Sequence, residues 1–303
     1  MNEYIYIQKT KDYEIFSNCK KIIFWFKNKF NIITKKKINN INILVLPFKS
    51  IISNKKFKKI IRKQIRKLYI NENTKLVLSK SFTNNEIKNI LDKYNVKYIN
   101  ENVAKKQLIF KVMDYINRIQ KKEQNQREIT ILVNNVTDIN INLITRFAFE
   151  SKSVKIVSKQ INKFKNLEEK LYNENGIAIQ FSNSYKKSLK KSDIIINLDF
   201  CETDINEYEI NTNAIIINTE DKLKIKTKLF NGIVVNSYNI KFVKTVNKFN
   251  EIIKILDEFD NLFIYESIIN SDNKYLLNDN NVKVINTIGN NGIILDKEFK
   301  NIR

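Results

Sequence analysis

Histidine is missing from all 303 residues. With it go the side chain that most often serves as general base near neutral pH and the commonest protein ligand for transition metals. Ser-His and Cys-His catalytic arrangements are therefore excluded within one chain. Cysteine occurs only twice, at Cys19 and Cys201, too isolated for a zinc knuckle and better suited to a reducing compartment than to a disulfide framework. With four glycines and one proline, no Gly-rich or Pro-rich linker divides the chain. Long apolar runs are lacking at the amino end. Residues 1–12 carry Glu3, Lys9, Lys11 and Asp12, and the strongest run nearby, Ile22 to Phe26, is far short of a membrane span. A cytoplasmic location is expected.

Arginine is also scarce. Six residues, Arg62, Arg66, Arg118, Arg127, Arg146 and Arg303, stand among 54 basic ones, in a chain of formal net charge +22. Lysine, asparagine and isoleucine share AT-rich codons, so much of this charge reads as genomic drift spread over solvated faces, and the chain resembles proteins of AT-rich bacteria. The polyanion reading has one main carrier, the segment Asn54 to Tyr69. There Lys55, Lys56, Lys58, Lys59, Arg62, Lys63, Arg66 and Lys67 surround the helical stripe Phe57, Ile60, Ile61, Ile65 and Leu68. Such a helix suits nucleic acid or an anionic surface. Packing of its stripe on a sheet is the preferred account. Lys186, Lys187, Lys190 and Lys191 are read as a solvated helix face.

What the chain does have is rhythm. Apolar runs at Asn42 to Leu46, Lys75 to Leu78 and Val96 to Ile99, with a helix at Asn84 to Lys93, make the first part a small α/β unit. Its opening is ambiguous, with strand hints at Tyr4 to Ile7 and around Phe24. From Val103 to Glu123, Ala104, Leu108, Val112, Ile116 and Ile119 form one stripe of a long helix. Six apolar runs follow: Ile129 to Val133, Val154 to Val157, Ile177 to Phe181, Ile194 to Leu198, Ala214 to Ile217 and Ile233 to Val235. Helices are expected in the first three gaps, at Asn140 to Phe149, Asn162 to Asn173 and Tyr185 to Lys191, with Gly176 as a cap. Runs apolar on both faces, alternating with helices, predict a parallel sheet covered on both sides. A helix over Lys244 to Phe259, a strand at Val282 to Ile285 and a turn at Gly289 to Gly292 complete the reading. The division expected is 1–123 as an N-terminal α/β domain with its long linking helix, 128–240 as a Rossmann-like domain, and 241–303 as a C-terminal helix and tail packing back on the first domain.

The run EITILVNN at Glu128 to Asn135, SVKIVSK at Ser153 to Lys159 and KKSDIIINLD at Lys190 to Asp199 resemble the cofactor domain of shikimate dehydrogenase-like and methylenetetrahydrofolate dehydrogenase-like enzymes. That resemblance implies an NAD(P)-binding Rossmann-like sheet joined to a smaller α/β domain. A dinucleotide turn needs G-x-G-x-x-G after its first strand. Here the turn reads Asn134, Asn135, Val136, Thr137, Asp138, Ile139, Asn140, without glycine. Asp138 would place negative charge near phosphates and is read as the cap of the following helix. At the end of the second strand Ser158 and Lys159 replace the acidic residue that holds a ribose, which leaves NADP better suited than NAD.

Ligands of open α/β sheets bind outside the carboxyl ends of the strands. The candidate cofactor-binding residues are therefore Asn134, Asn135, Thr137, Ser158, Lys159, Ser182 and Asn183, facing a small-molecule ligand. Asp199, Glu202 and Asp204 have the chemistry for Mg²⁺, but a solvated loop, with Asp204 capping a short helix and Glu207 completing a capping box, is preferred, so no metal site is assigned. Three readings follow: a Rossmann-like protein with a remodelled dinucleotide site and a binding role, an NADP-dependent oxidoreductase with a glycine-free turn, and a nucleic-acid or anionic-surface binder. No catalytic residue is identifiable.

Overall fold

The computed structural model describes residues 3–9, 17–30, 32–38, 41–46, 58–59, 74–80, 85–243, 247–271, 274, 277 and 279–302. They fall into two compact units, Met1–Glu101 with Val243–Asn281 and Asn102–Phe242 with Val282–Arg303.

In the first unit, β1 (Glu3–Lys9), β2 (Thr34–Ile38), β3 (Ile41–Leu46) and β4 (Thr74–Leu78) form a sheet in the order β2-β3-β1-β4. β1 runs parallel to β3 and β4, and β2 antiparallel to β3. Side chains alternate across β1. Ile5 and Ile7 join Leu44, Leu46, Leu76, Leu78, Leu91 and Val96 in one core cluster. Tyr6 instead meets Phe259 edge to face, and its hydroxyl pairs with that of Ser267. Burial pushes the Tyr6 phenol well above its ordinary pKa.

Two expectations fail here. The strand hint around Phe24 lies within the helix Asn18–Phe30, whose first turn is closed by Ser17, its hydroxyl accepting from Lys20 N at 3.3 Å. Val96 to Ile99 makes only an isolated parallel bridge between Tyr98 and Leu76, because Val96 N turns back to Leu91 O at the helix end. The basic segment Asn54 to Tyr69 lies outside the described residues, apart from Lys58 and Lys59, which are helical. Of the helix expected at Lys244 to Phe259, Asn247–Ile255 is helical, and Phe249, Ile252 and Leu256 are buried.

The second unit is built on β5 (Glu128–Leu132), β6 (Ser153–Val157), β7 (Gln180–Ser182), β8 (Ile194–Asn197), β9 (Ile215–Asn218) and β10 (Ile233–Val235). Every neighbouring pair is parallel, in the order β10-β9-β8-β5-β6-β7. Numbered within this sheet the order is 3-2-1-4-5-6, the doubly wound Rossmann arrangement. The six strands are those the apolar runs predict, and Ile131, Val133, Ile156, Ile179, Ile195 and Ile216 are all buried. β8 and β9 are buried at every position, which is why their sequences are continuous rather than alternating.

The helices Asp138–Glu150 and Lys165–Asn175 fill the first two crossovers, and Gly176, at φ 68°, caps the second in the left-handed region. The third expected helix, Tyr185 to Lys191, is absent, and a series of turns takes its place. Tyr185 O accepts from Glu209 N and Leu189 O from Asn211 N, so carbonyls that a helix would use internally are bonded to a neighbouring segment. The long stripe of Ala104, Leu108, Val112, Ile116 and Ile119 is buried as expected, although it spans two helices, Asn102–Gln107 and Ile109–Gln120, separated at Leu108. β11 (Ser237–Phe242), β12 (Val282–Gly289) and β13 (Gly292–Ile294) form a separate antiparallel sheet, followed by the helix Asp296–Asn301. Among the described residues no helix is long and apolar enough to cross a membrane.

Candidate functional site

The sheet order reverses between β5 and β8, so their carboxyl ends flank the position where a doubly wound sheet receives its ligand. The turn after β5 leads directly into the helix Asp138–Glu150. Its N-cap is Thr137, whose hydroxyl accepts from Asn140 N at 3.3 Å. Asp138, the cap expected from the sequence, stands one residue further in, in the first turn, where its charge still complements the helix dipole.

The backbone amides of this turn already have an anion. Asn134 N donates to Asp199 Oδ1 at 2.7 Å and Asn135 N donates to Asp199 Oδ2 at 2.7 Å. Asp199 follows β8, and its two carboxylate oxygens span two successive amides in the way a phosphate oxygen pair would. The Asn134 side chain points along the edge, its Oδ1 accepting from Lys159 N at 2.9 Å and from the Ser158 hydroxyl at 3.4 Å. Asn135 O accepts from the buried Asn140 Nδ2 at 2.9 Å. A turn without glycine is thus held by asparagine side chains and a carboxylate.

The remaining candidates extend this network outward. Ser158 is fully buried, and its backbone N donates to Ser182 O. The Ser182 hydroxyl meets that of Ser188, and Asn183 is exposed just past the end of the outermost strand. Lys159 Nζ reaches Asp204 Oδ1 at 2.7 Å, and this hydrogen bond raises the lysine pKa. Asn134, Asn135, Thr137, Ser158 and Lys159 are therefore brought together, with Ser182 one strand further out.

The three carboxylates considered for Mg²⁺ are engaged separately. Asp199 holds the turn, Asp204 holds Lys159, and Glu202 accepts from Lys224 N and pairs with Lys226. The short helix Glu202–Ile205 contains Asp204 rather than being capped by it, and its N-cap residue Cys201 bonds through its thiol to the Thr203 hydroxyl rather than to a backbone amide. Among the described residues no group of three or more His, Cys, Asp or Glu side chains could hold a metal ion.

Sequence reasoning missed an asparagine ladder beyond Asp199. Asn197, Asn218 and Asn236 stand at the ends of β8, β9 and β10 and are all buried. Asn197 Nδ2 donates to Asn218 Oδ1 at 2.8 Å, Asn218 Nδ2 to Asn236 Oδ1 at 3.0 Å, and Asn236 Nδ2 to Asn290 Oδ1 at 3.1 Å. A signal was available in the recurrence of an apolar triplet closed by asparagine, at 194–197, 215–218 and 233–236.

Whether a dinucleotide fits is decided by these bonds. The amides that would face its pyrophosphate are held by Asp199, and the lysine that would meet a 2′-phosphate is held by Asp204. The arrangement does not fit a conventional NAD(P) phosphate site.

No family model and no curated protein matches the chain. Among solved structures it is similar to a dipicolinate synthase from Bacillus halodurans, with 9% identity over 73% of this chain and 82% of that one and a TM-score of 0.36. L-tryptophan dehydrogenase from Nostoc punctiforme gives 7% identity, 88% and 78% coverage and a TM-score of 0.33. D-isomer specific 2-hydroxyacid dehydrogenase from Lactobacillus delbrueckii ssp. bulgaricus gives 11%, 71% and 70%, and 0.27. The protein is Rossmann-like by its own strand order, and at these scores the neighbours add no argument for an activity.

Proposed function

We propose that this Rossmann-like protein carries a dinucleotide site remodelled and closed from within, and that it acts by binding rather than by nicotinamide-dependent hydride transfer. The observation that carries this reading is the Asp199 carboxylate on the amides of Asn134 and Asn135. A pyrophosphate entering there would have to displace two charge-assisted hydrogen bonds, each worth about 1.5–3 kcal/mol, and would leave the Asp199 charge close by. The surface left for a ligand is the rim formed by Asn134, Asn135, Thr137, Lys159, Ser182 and Asn183, beneath which Ser158 is buried. Its polar groups suit a small neutral or cationic partner better than a phosphate.

Calorimetric titration with NAD(H) and NADP(H) tests this. Dissociation constants in the millimolar range or weaker are expected, equivalent to less than about 4 kcal/mol. Micromolar binding of NADP(H) would overturn the reading in favour of an oxidoreductase whose Lys159 leaves Asp204 for the 2′-phosphate. A cytoplasmic location belongs to the same proposal and is supported by two free, exposed cysteines, Cys19 and Cys201.

A further inference from the structure

The amino edge of the parallel sheet, opposite the site above, holds a cavity of about 510 Å³. Arg127 precedes β5, Asp193 precedes β8 and Asn213 precedes β9, and all three line it. Ile119 to Lys122, at the end of the helix Ile109–Gln120, form one wall, and Lys300 and Ile302 another. Gln120 ties the two walls together, its Nε2 donating to Phe299 O at 2.9 Å and to Ile302 O at 3.3 Å.

Arg127 is only 4% exposed. Its Nε donates to Asn117 Oδ1 at 2.8 Å, and Asn117 is itself oriented by a bond from its Nδ2 to Gln124 Oε1 at 3.0 Å. Nη2 is buried and meets no acceptor among the described residues. An unsatisfied donor on a buried charged group is costly, and a guanidinium is built to present paired donors to an oxyanion. Lys121, Lys122 and Lys300 add positive charge, against the single carboxylate of Asp193, while Ile119, Ile194, Ile215 and Ile302 supply apolar surface. Arg127 is one of six arginines among 54 basic residues, and it is buried.

We propose that this cavity binds a small organic anion, with the Arg127 guanidinium donating to its phosphate or carboxylate oxygens, the lysines neutralising its charge and the isoleucines receiving its apolar body. The probes are phenyl phosphate, benzoate and inorganic phosphate, measured by calorimetry and by thermal melting of the full chain. Saturable binding of phenyl phosphate or benzoate that raises the melting temperature is expected, and the tighter of the two identifies the source of the oxyanion. Inorganic phosphate should bind more weakly than phenyl phosphate. Arg127→Gln should abolish binding. Should that variant fail to fold, the pair Lys121→Gln and Lys300→Gln, which keeps the core intact, should weaken binding by about tenfold. The proposal is overturned if none of the probes binds at millimolar concentration, or if binding is unchanged in every folded variant.

Discussion

The two edges of the parallel sheet meet water in opposite ways. At the carboxyl edge the turn amides, Lys159 and the asparagine ladder have internal partners, in Asp199, Asp204 and the chain from Asn197 to Asn290, although Asn140 Oδ1 is buried without one among the described residues. At the amino edge Arg127 is buried with one guanidinium nitrogen unpaired beside a cavity. Ligand binding exchanges solvent or unmet partners for protein contacts, so an edge whose donors are already bonded has little to offer an anion. On the proposed reading, the edge where the fold would ordinarily take its ligand is the less receptive one for phosphate.

The largest effect should come from the ladder. Asn218→Ala removes donors to Asp221 O and to Asn236 Oδ1 and the acceptor of Asn197 Nδ2, leaving Asn197 Nδ2 with Phe200 O and Asn236 Oδ1 with Leu223 N, and breaking the ladder at its centre. A loss of about 2–4 kcal/mol in urea unfolding is expected. A loss below about 1 kcal/mol would mean that water enters this edge and that the contrast between the edges is false.

Next in size is Asp199→Ala, which frees the amides of Asn134 and Asn135. About 1–3 kcal/mol of destabilisation is expected by the same measurement. An unchanged urea midpoint would show that the carboxylate contributes nothing to holding the turn.

Tyr115 reports on the wall of the amino-edge cavity, because its hydroxyl donates to Asp296 Oδ1 at 2.8 Å at the start of the helix that carries Lys300. Burial, followed by the bond to Asp296, pushes its pKa up from 10.0 to about 12. A raised tyrosine pKa means that the fold favours the neutral phenol. Its contribution is complete below the unfolded value and is lost as pH rises through the folded one. Stability of the wild-type protein should therefore decline between pH 10 and about 12. Tyr115→Phe should cost about 0.5–1.5 kcal/mol at neutral pH and remove that part of the decline, as read from denaturant midpoints across the range. A variant that declines as steeply as the wild type would detach Tyr115 from this wall.

The smallest effect belongs to Lys152→Gln. The Lys152 to Glu128 pair, at 2.7 Å, is exposed on both sides and sits at the amino end of β5. No measurable shift in the urea midpoint is expected. A clear shift would show that surface charge, rather than burial, separates the two edges.

The sheet was legible because strand identity is written locally: Ile194 to Ile196 and Ile215 to Ile217 are apolar on both faces wherever the strand lies. The turns at Tyr185 to Lys191 were not legible, since lysine and leucine are good helix formers and the competing bonds come from Glu209 and Asn211. The cap at Thr137 was missed for a smaller reason. Thr137 and Asp138 are both capping residues, and only the backbone geometry chooses between them.

The sequence by itself determined the rhythm of strands and helices, the absence of a glycine turn and the exclusion of histidine chemistry, because each of these depends on residue type or on short-range periodicity. Tertiary structure alone decided that Asp199 would meet Asn134, 65 positions earlier, and that Arg127 would be left with an unpaired donor against a cavity. Both depend on which strands become neighbours, and the reversal of order between β5 and β8 is set by the packing of the whole sheet rather than by any segment of it.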